Sequence, residues 1–235
     1  MSDFRAALVG DDGTLREAVE AAGGAVVAAD ADPDAVVTLG ESALVETALS
    51  GPAAPVLPVA AGVGRYAVPK VDADAVLSEA AAGERRTASH ATLRVSVGGE
   101  PRERALLDAT LMTVEPARIS EYAVRTGDGT VERFRADGVV VATPAGSTGY
   151  ARAAGGAVLA PGTGLSVVPV SPFATRSDTW VVDDGTVLRV ERDECDVRLI
   201  VDGAVAGVVP PETDIEVAVD GHVPFVRTPG MARSE

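Results

Sequence analysis

Cysteine and lysine are almost missing from this chain. Cys195 is the only cysteine in 235 residues, which excludes an intrachain disulfide and any cysteine-rich zinc site. Lys70 is the only lysine, against 19 arginines. Aromatic residues make up 3 % of the sequence, so a core has to be built from Val, Ala and Leu. No apolar run approaches the ~18 residues of a membrane-crossing helix. The start, Met1-Ser2-Asp3-Phe4-Arg5, lacks the charged and apolar regions of a secretory signal. These absences point to a soluble protein of a reducing cytoplasm. What is abundant is carboxylate: 35 Asp+Glu against 20 Lys+Arg give a formal net charge of −15. An acidic, lysine-poor, Ala/Val-rich composition resembles soluble proteins of salt-loving organisms, whose dense carboxylates hold water. It argues against duplex DNA or an anionic membrane as a partner. An apolar content of 46 % excludes a disordered acidic tail, and the length allows one or two domains.

Along the first ninety residues strand-like and helix-like segments alternate. Ala6 to Val9 is a short apolar run that stops at Gly10-Asp11-Asp12-Gly13. Residues 14–22 carry helical spacing, with Thr14 and Glu17 placed as a capping box. Residues 25–29, 35–39 and 55–59 read as strands, and 43–49 as a helix. This βαβ-type pattern predicts a parallel sheet with ligands at the carboxyl ends of its strands. From about Thr92 the period changes to two: 93–97, 187–191 and 197–201 alternate apolar and polar residues. Turns at Gly127-Asp128-Gly129 and Asp183-Asp184-Gly185 join such segments. The expected organisation is an α/β domain over 1–88 and a β-rich domain over 89–235.

One stretch carries chemistry. Asp137-Gly138 leads into the apolar run 139–142, then Thr143-Pro144-Ala145-Gly146-Ser147-Thr148-Gly149-Tyr150, and Gly155-Gly156 follows. Small side chains let a ligand approach the backbone, and free N–H groups at a helix start suit phosphate or ribose hydroxyls. Ser147, Thr148 and Tyr150 add hydroxyls, and Tyr150 a stacking face. On composition alone the stretch is either a plain strand–turn–helix crossover or a ligand loop; it is not a Walker loop.

The whole string resembles the NAD kinase family, whose pattern runs Asp-Gly, an apolar strand, Thr-Pro-Thr-Gly-Ser-Thr-Ala-Tyr, then Gly-Gly. Within the octet only Ala145 and Gly149 differ. Val168-Pro169-Val170-Ser171-Pro172 with Arg176 resembles the next family segment, although the usual histidine is Phe173. Asp202-Gly203 also fits. The resemblance implies a two-domain fold: an α/β N-terminal domain with a parallel sheet, a β-rich C-terminal domain and a site between them. It implies NAD or NADP as ligand, ATP or polyphosphate with Mg²⁺ for phosphorylation of the adenosine ribose 2′-hydroxyl, and a homo-oligomer, dimer or tetramer. By carry-over, Asp108, Arg135, Asp137, Ala145, Thr148, Gly149 and Tyr150 line the dinucleotide site.

The phosphoryl-transfer motifs depart from the family. Its Gly-Gly-Asp-Gly-Thr becomes Leu39-Gly40-Glu41-Ser42-Ala43, so Gly40 and Ser42 stand in the phosphate loop and Glu41 replaces the catalytic aspartate with one more methylene. A shift of about 1 Å in a base can cost on the order of a hundredfold in rate. Gly-Ile-Asn-x-Gly becomes Pro58-Val59-Ala60-Ala61-Gly62, and the Asn-Glu pair becomes Leu107-Asp108. Gly10-Asp11-Asp12-Gly13-Thr14 reads either as a displaced phosphate loop or as an acidic turn. His90 and His222 lack metal-ligand spacing and read as packing or surface residues. Cys195, between Glu194 and Asp196, reads as an unreactive thiol, and Trp180 as core. The sequence therefore describes an NAD(P)-binding member whose phosphoryl-transfer site is degenerate. The alternative is a working kinase with Glu41 as its carboxylate.

Overall fold

The structure, a computed structural model, describes residues 4–10, 13–115, 118–174, 177–192 and 195–232. Asp11, Asp12, Arg176 and Glu194 lie outside the described residues, and so does the C-terminal end from Arg233. The chain divides into two compact units, one formed by 1–90 together with 222–235 and the other by 91–221. The sequence carries a single boundary at 88/89 and contains no sign of that C-terminal return. Among the described residues no helix is long and apolar enough to cross a membrane.

The first unit contains β1 (Arg5–Val9), α1 (Thr14–Ala21), β2 (Ala25–Val26), β3 (Ala35–Leu39), α2 (Glu41–Ser50), β4 (Val56–Val59) and α3 (Ala73–Ala81). Strands run in the order β2-β1-β3-β4, all parallel. Leu15, Ala18 and Val19 of α1 and Val76 and Leu77 of α3 pack with Ala6, Val37 and Leu57 of the sheet. Two local readings need correction. Thr14 is the first residue inside α1, and Gly13 holds the N-cap position with φ 94°, so Thr14 does not stand where the cap of the predicted box would be. The strand placed over 25–29 is held at the sheet edge for only two residues. Its last bond to β1 is Val27 N–H to Ala6 O, before a turn at 28–31.

The second unit is strand-dominated: β5 (Arg86–Val97), which enters it at Ala91, β6 (Glu100–Ala105), β7 (Asp108–Thr113), β8 (Ser120–Thr126), β9 (Gly129–Ala136) and β10 (Gly138–Ala142) come first. The short α4 (Tyr150–Ala153), β11 (Leu165–Val170), β12 (Trp180–Val182), β13 (Gly185–Arg192), β14 (Val197–Val201), β15 (Ala204–Val209) and β16 (Asp214–Arg227) follow. One antiparallel sheet has the order β12-β11-β10-β7-β14-β15. Facing it are β9-β8-β13 with the first half of β16, and the β5–β6 hairpin. The period-two pattern fixes the faces. Val139 and Val141 of β10 enter the core with Leu111, Tyr122, Leu188 and Ile215. Val140 and Ala142 point the other way, against Ala151 of α4 and Val168. Strand β16 continues past 221 into the first unit, where Phe225 pairs with Val56 in parallel. The architecture is therefore an α/β N-terminal part with parallel strands and a β-rich C-terminal region, as the sequence predicts.

Candidate functional site

Within the second unit the informative octet forms a tight crossing from β10 to α4. Thr143 Oγ1 donates to Leu106 O at 2.7 Å, and Thr143 N–H to Leu107 O at 2.9 Å. Thr143 Oγ1 also accepts from Gly146 N at 3.2 Å. A Cβ on Gly146 would lie 2.1 Å from Leu107 O, so only glycine fits this approach of backbone to backbone. Buried Ser147 donates to Pro144 O at 2.7 Å and accepts from Leu159 N at 2.9 Å. Thr148 Oγ1 donates to Ala145 O at 3.0 Å. Ala145 is itself fully buried. The small and hydroxyl residues that suggest a ligand loop thus largely hold the turn against residues 106 and 107. Gly149 precedes α4 with a Cβ position that meets only Gly146 O at 3.5 Å. Tyr150 is left 43 % exposed.

The 106–108 turn is clamped from the other side by a residue that the sequence does not mark as structural. The Asp202 carboxylate accepts from the backbone N–H groups of Leu106, Leu107 and Asp108 at 2.8, 2.8 and 3.0 Å. Asp202 N–H returns a bond to Asp108 O at 3.0 Å. Burial pushes the Asp202 carboxyl above the usual carboxylate range, while the three N–H donors pull it down. Asp202 sits at φ 46°, a conformation that aspartate tolerates better than most residues, followed by Gly203 at φ 78°. The only sequence signal for the clamp is that Asp-Gly pair at a hairpin position.

This turn sets Asp108 opposite Ala142 at the head of β7, where its carboxylate accepts from Thr110 Oγ1 at 3.1 Å. Asp137 lies in the turn between β9 and β10, held by its N–H to Val170 O at 3.0 Å. Partial burial raises the Tyr150 hydroxyl pKa, and the negative charges of Asp108 and then Asp137 raise it further. Asp108 and Asp137 stand at opposite ends of the β7–β10 pair, and both carboxylates act on Tyr150: an exposed aromatic ring with an acceptor-only group towards each end of the ladder. Such a set suits a ligand that offers hydroxyl or amino donors and a flat ring. Arg135 lines a separate cavity of about 630 Å³, with Glu132, Phe134, Phe173 and Asp178 among its walls. Asp108 and Tyr150 do not line it. Phe173 is 71 % exposed there and donates its N–H to Arg135 O at 2.8 Å.

In the first unit the carboxyl ends of β1, β3 and β4 meet. A Cβ on Gly10 would lie 2.8 Å from Leu39 O and 3.1 Å from Ala43 Cβ. Glu41 Oε2 lies 2.8 Å from the position a Gly62 Cβ would take. Helix α2 begins at Glu41 itself, so the connection from β3 is the single residue Gly40, at φ 89°. The helix therefore starts two residues before the predicted 43–49 span. Leu39 packs against the core, while Glu41 and Ser42 are exposed. The N-cap of α2 is Gly40, which brings no side-chain acceptor to the first-turn amides, and none is found for them among the described residues. Ala60, where the family pattern has asparagine, is at φ 50°, a left-handed position that asparagine enters more readily than alanine. Among the described residues no group of three His, Cys, Asp or Glu is arranged to hold a metal.

Comparisons with known proteins agree with this geometry. A family model described as the ATP-NAD kinase C-terminal domain matches residues 107–228, a span that contains Asp108, Asp137 and Tyr150 but not Glu41. The NAD kinase of Methanosarcina barkeri is 40 % identical over 97 residues, 41 % of this chain and 35 % of that protein. That of Methanopyrus kandleri is 33 % identical over 119 residues, 50 % of this chain and 43 % of that one. The matched stretch thus spans well under half the length of these relatives. Among solved structures, an NAD kinase from Archaeoglobus fulgidus in complex with ATP superposes on 98 % of this chain and 96 % of its own, with TM-score 0.72 and 23 % identity. Yeast NADH kinase complexed with NADH covers 98 % of this chain and 85 % of its own, with TM-score 0.73 and 17 % identity. At these identities the likeness establishes the fold.

Proposed function

The chain belongs to the NAD kinase family, and on that premise we propose that it binds NAD or NADP through its second unit while its phosphoryl transfer is impaired. Binding is supported by the exposed Tyr150 ring, on which the carboxylates of Asp108 and Asp137 both act. The carboxylates would accept from ribose hydroxyls or the adenine amine, and the exposed Tyr150 ring would stack on a base. Gly149, free of close contacts, would let the ligand approach the backbone. Thr148 belongs to the same assignment, while Arg135 would act from the separate cavity that it lines. The two solved relatives are complexes with NADH and with ATP, the ligand classes this reading assigns.

The impairment rests on one observation, the one-residue connection between β3 and α2. A glycine-rich loop would offer successive N–H groups to a phosphate chain. Here Leu39 is drawn into the core and Glu41 and Ser42 are already helical, so Gly40 alone has that freedom. The Glu41 carboxylate at the helix start would repel a donor phosphate unless Mg²⁺ arrived with it.

A second reading, a working NAD kinase using ATP or polyphosphate, is favoured by that same carboxylate. Glu41 sits at the strand ends beside uncapped first-turn amides, the place where an anion and a catalytic carboxylate would meet. Both readings carry the expectations of a cytoplasmic homo-oligomer, dimer or tetramer, with nucleotides rather than nucleic acid as ligands.

The deciding experiment measures NADP⁺ formation from NAD⁺, ATP and Mg²⁺ at high KCl, with NAD⁺ and NADP⁺ binding titrated on the same sample. Saturable binding with turnover far below ~1 s⁻¹, the low end for kinases, is the expected outcome. Turnover at or above that rate would establish the second reading, and absence of binding would overturn both.

A further inference from the structure

Three consecutive backbone amides of the second unit converge on one side chain. Leu106 N–H donates to one oxygen of the Asp202 carboxylate at 2.8 Å, and Leu107 and Asp108 N–H share the other at 2.8 and 3.0 Å. The carbonyls of the same three residues are taken as well. Leu106 O and Leu107 O accept from the Thr143 hydroxyl and amide, and Asp108 O accepts from Asp202 N–H. Each of the six backbone polar groups of 106–108 thus has a partner on Asp202 or on Thr143. Leu106 and Leu107 are themselves buried, which anchors the turn from below.

The hairpin that carries Asp202 does not need a carboxylate. Asp202 and Gly203 form the two-residue turn between β14 and β15, closed by the pair Val201 and Ala204, with φ 46° and 78°. Asparagine serves a turn with two positive φ angles as well as aspartate does. A neutral side chain would also escape the desolvation that raises the Asp202 carboxyl. What the carboxylate adds is a second acceptor oxygen. An asparagine has one acceptor oxygen, and its NH₂ would face an N–H group in place of the other.

We propose that Asp202 is a positioning residue for Asp108, a role that rests on the dinucleotide reading of that site. Asp202 touches no ligand in this role and acts through the main chain. It accepts from Asp108 N–H and donates its own N–H to Asp108 O, so it holds the peptide groups on both sides of the Asp108 Cα. With both peptide planes fixed, the direction in which the Asp108 side chain leaves the backbone is fixed too. The bond from Thr110 Oγ1 at 3.1 Å then holds the carboxylate itself. A ligand hydroxyl needs that carboxylate within a narrow range of distance and angle, because a hydrogen bond weakens steeply outside it. The buried charge of Asp202 therefore serves the placement of the partly exposed acceptor two bonds further along the chain, and the hairpin turn only delivers it.

A double-mutant cycle on the full chain tests the proposal. NAD⁺ is titrated calorimetrically into the wild type, Asp202→Asn, Asp108→Ala and the double variant, each shown to be folded by a melting curve. Asp202→Asn should weaken NAD⁺ binding about tenfold, the size of one lost bond to a charged group. Where Asp108 is already alanine, the same substitution should change affinity by less than about twofold. A merely structural Asp202 would weaken binding by one factor in both backgrounds, and that result overturns the proposal, as does wild-type affinity in Asp202→Asn. A wild type that fails to bind NAD⁺ overturns the dinucleotide reading and this role with it. If Asp202→Asn does not fold, amide hydrogen exchange on the wild type decides. Bound NAD⁺ should slow exchange at 106–108, and unchanged exchange there overturns the proposal.

Discussion

Single residues in the octet divide between those that hold the turn and those that face a ligand. Gly146 is of the first kind. The added methyl of Gly146→Ala would be driven into the Leu107 carbonyl, which is backbone already tied to Thr143 and cannot swing aside. We expect this substitution to destabilise the protein by about 3 kcal/mol, the upper end for overpacking, read as a lower melting midpoint. A midpoint unchanged within error would mean that the 106–108 turn is not the rigid support it is taken for. Tyr150 is of the second kind: 43 % exposed, with two carboxylates nearby. Tyr150→Ala should leave the melting midpoint almost unchanged and weaken NAD⁺ binding by roughly tenfold, the loss of ~1–1.5 kcal/mol of ring stacking. An affinity equal to wild type would remove Tyr150 from the site. The sequence shows both residues as parts of one motif and cannot separate their roles. Whether a glycine faces a ligand or a neighbouring carbonyl depends on Leu107, 39 positions away from Gly146 in the chain.

Elements decide what the first unit can do. The strands at 35–39 and 55–59 and the helix at 14–22 are legible because short apolar runs end in glycine or aspartate and the helix has its own period. The β-rich part is legible from period-two alternation closed by Asp-Gly turns at 127–129 and 183–185. Three features are not local and so escape. Strand β2 is cut to two residues by its place at the sheet edge, where one neighbour supplies all the bonds. Strand β16 crosses from one unit to the other, and its pairing with Val56 is set by contacts far apart in sequence. Helix α2 starts at Glu41 rather than Ala43, although Glu41 and Ser42 read as a loop by resemblance to a glycine-rich motif. That early start makes a prediction about chemistry. With Glu41 in the first turn of a ten-residue helix, its carboxylate lies over Gly62 at the strand ends. Glu41→Gln should therefore abolish whatever NADP⁺ formation the wild type sustains while leaving NAD⁺ affinity within a few-fold. The matched assay pair on wild type and variant checks this, and unchanged turnover would exclude the carboxylate from the reaction.

At the scale of the whole molecule, stability and pH are coupled through a histidine that the sequence marks only as a packing or surface residue. His90 is fully buried, stacked on Phe225 at 4.2 Å and edge-on to Tyr66 at 4.8 Å, with both ring nitrogens unpartnered. Burial, and then the nearby Arg227 charge, lower its pKa from 6.5 to about 4. The unfolded chain therefore binds a proton that the folded chain refuses between those values. The sign follows directly: stability is fully present above pH 6.5, falls as the pH drops towards 4, and loses nothing more from this group below that. At ~1.4 kcal/mol per unit, the loss amounts to about 3 kcal/mol. Asp202 works in the opposite direction, since its raised carboxyl takes up a proton in the folded state first and offsets part of the loss. A net charge of −15 adds a background of carboxylate repulsion that relaxes as the same groups protonate. Melting curves taken across pH 4–7 in 1 M KCl suppress that background, because charges beyond about 3 Å are screened while a buried ring is not. Under those conditions the wild type should lose stability towards acid and His90→Phe, which keeps a flat ring and removes both nitrogens, should lose markedly less. Parallel pH profiles for the two proteins would show that His90 takes up its proton without unfolding, and that the aromatic sandwich is more open to water than its complete burial implies.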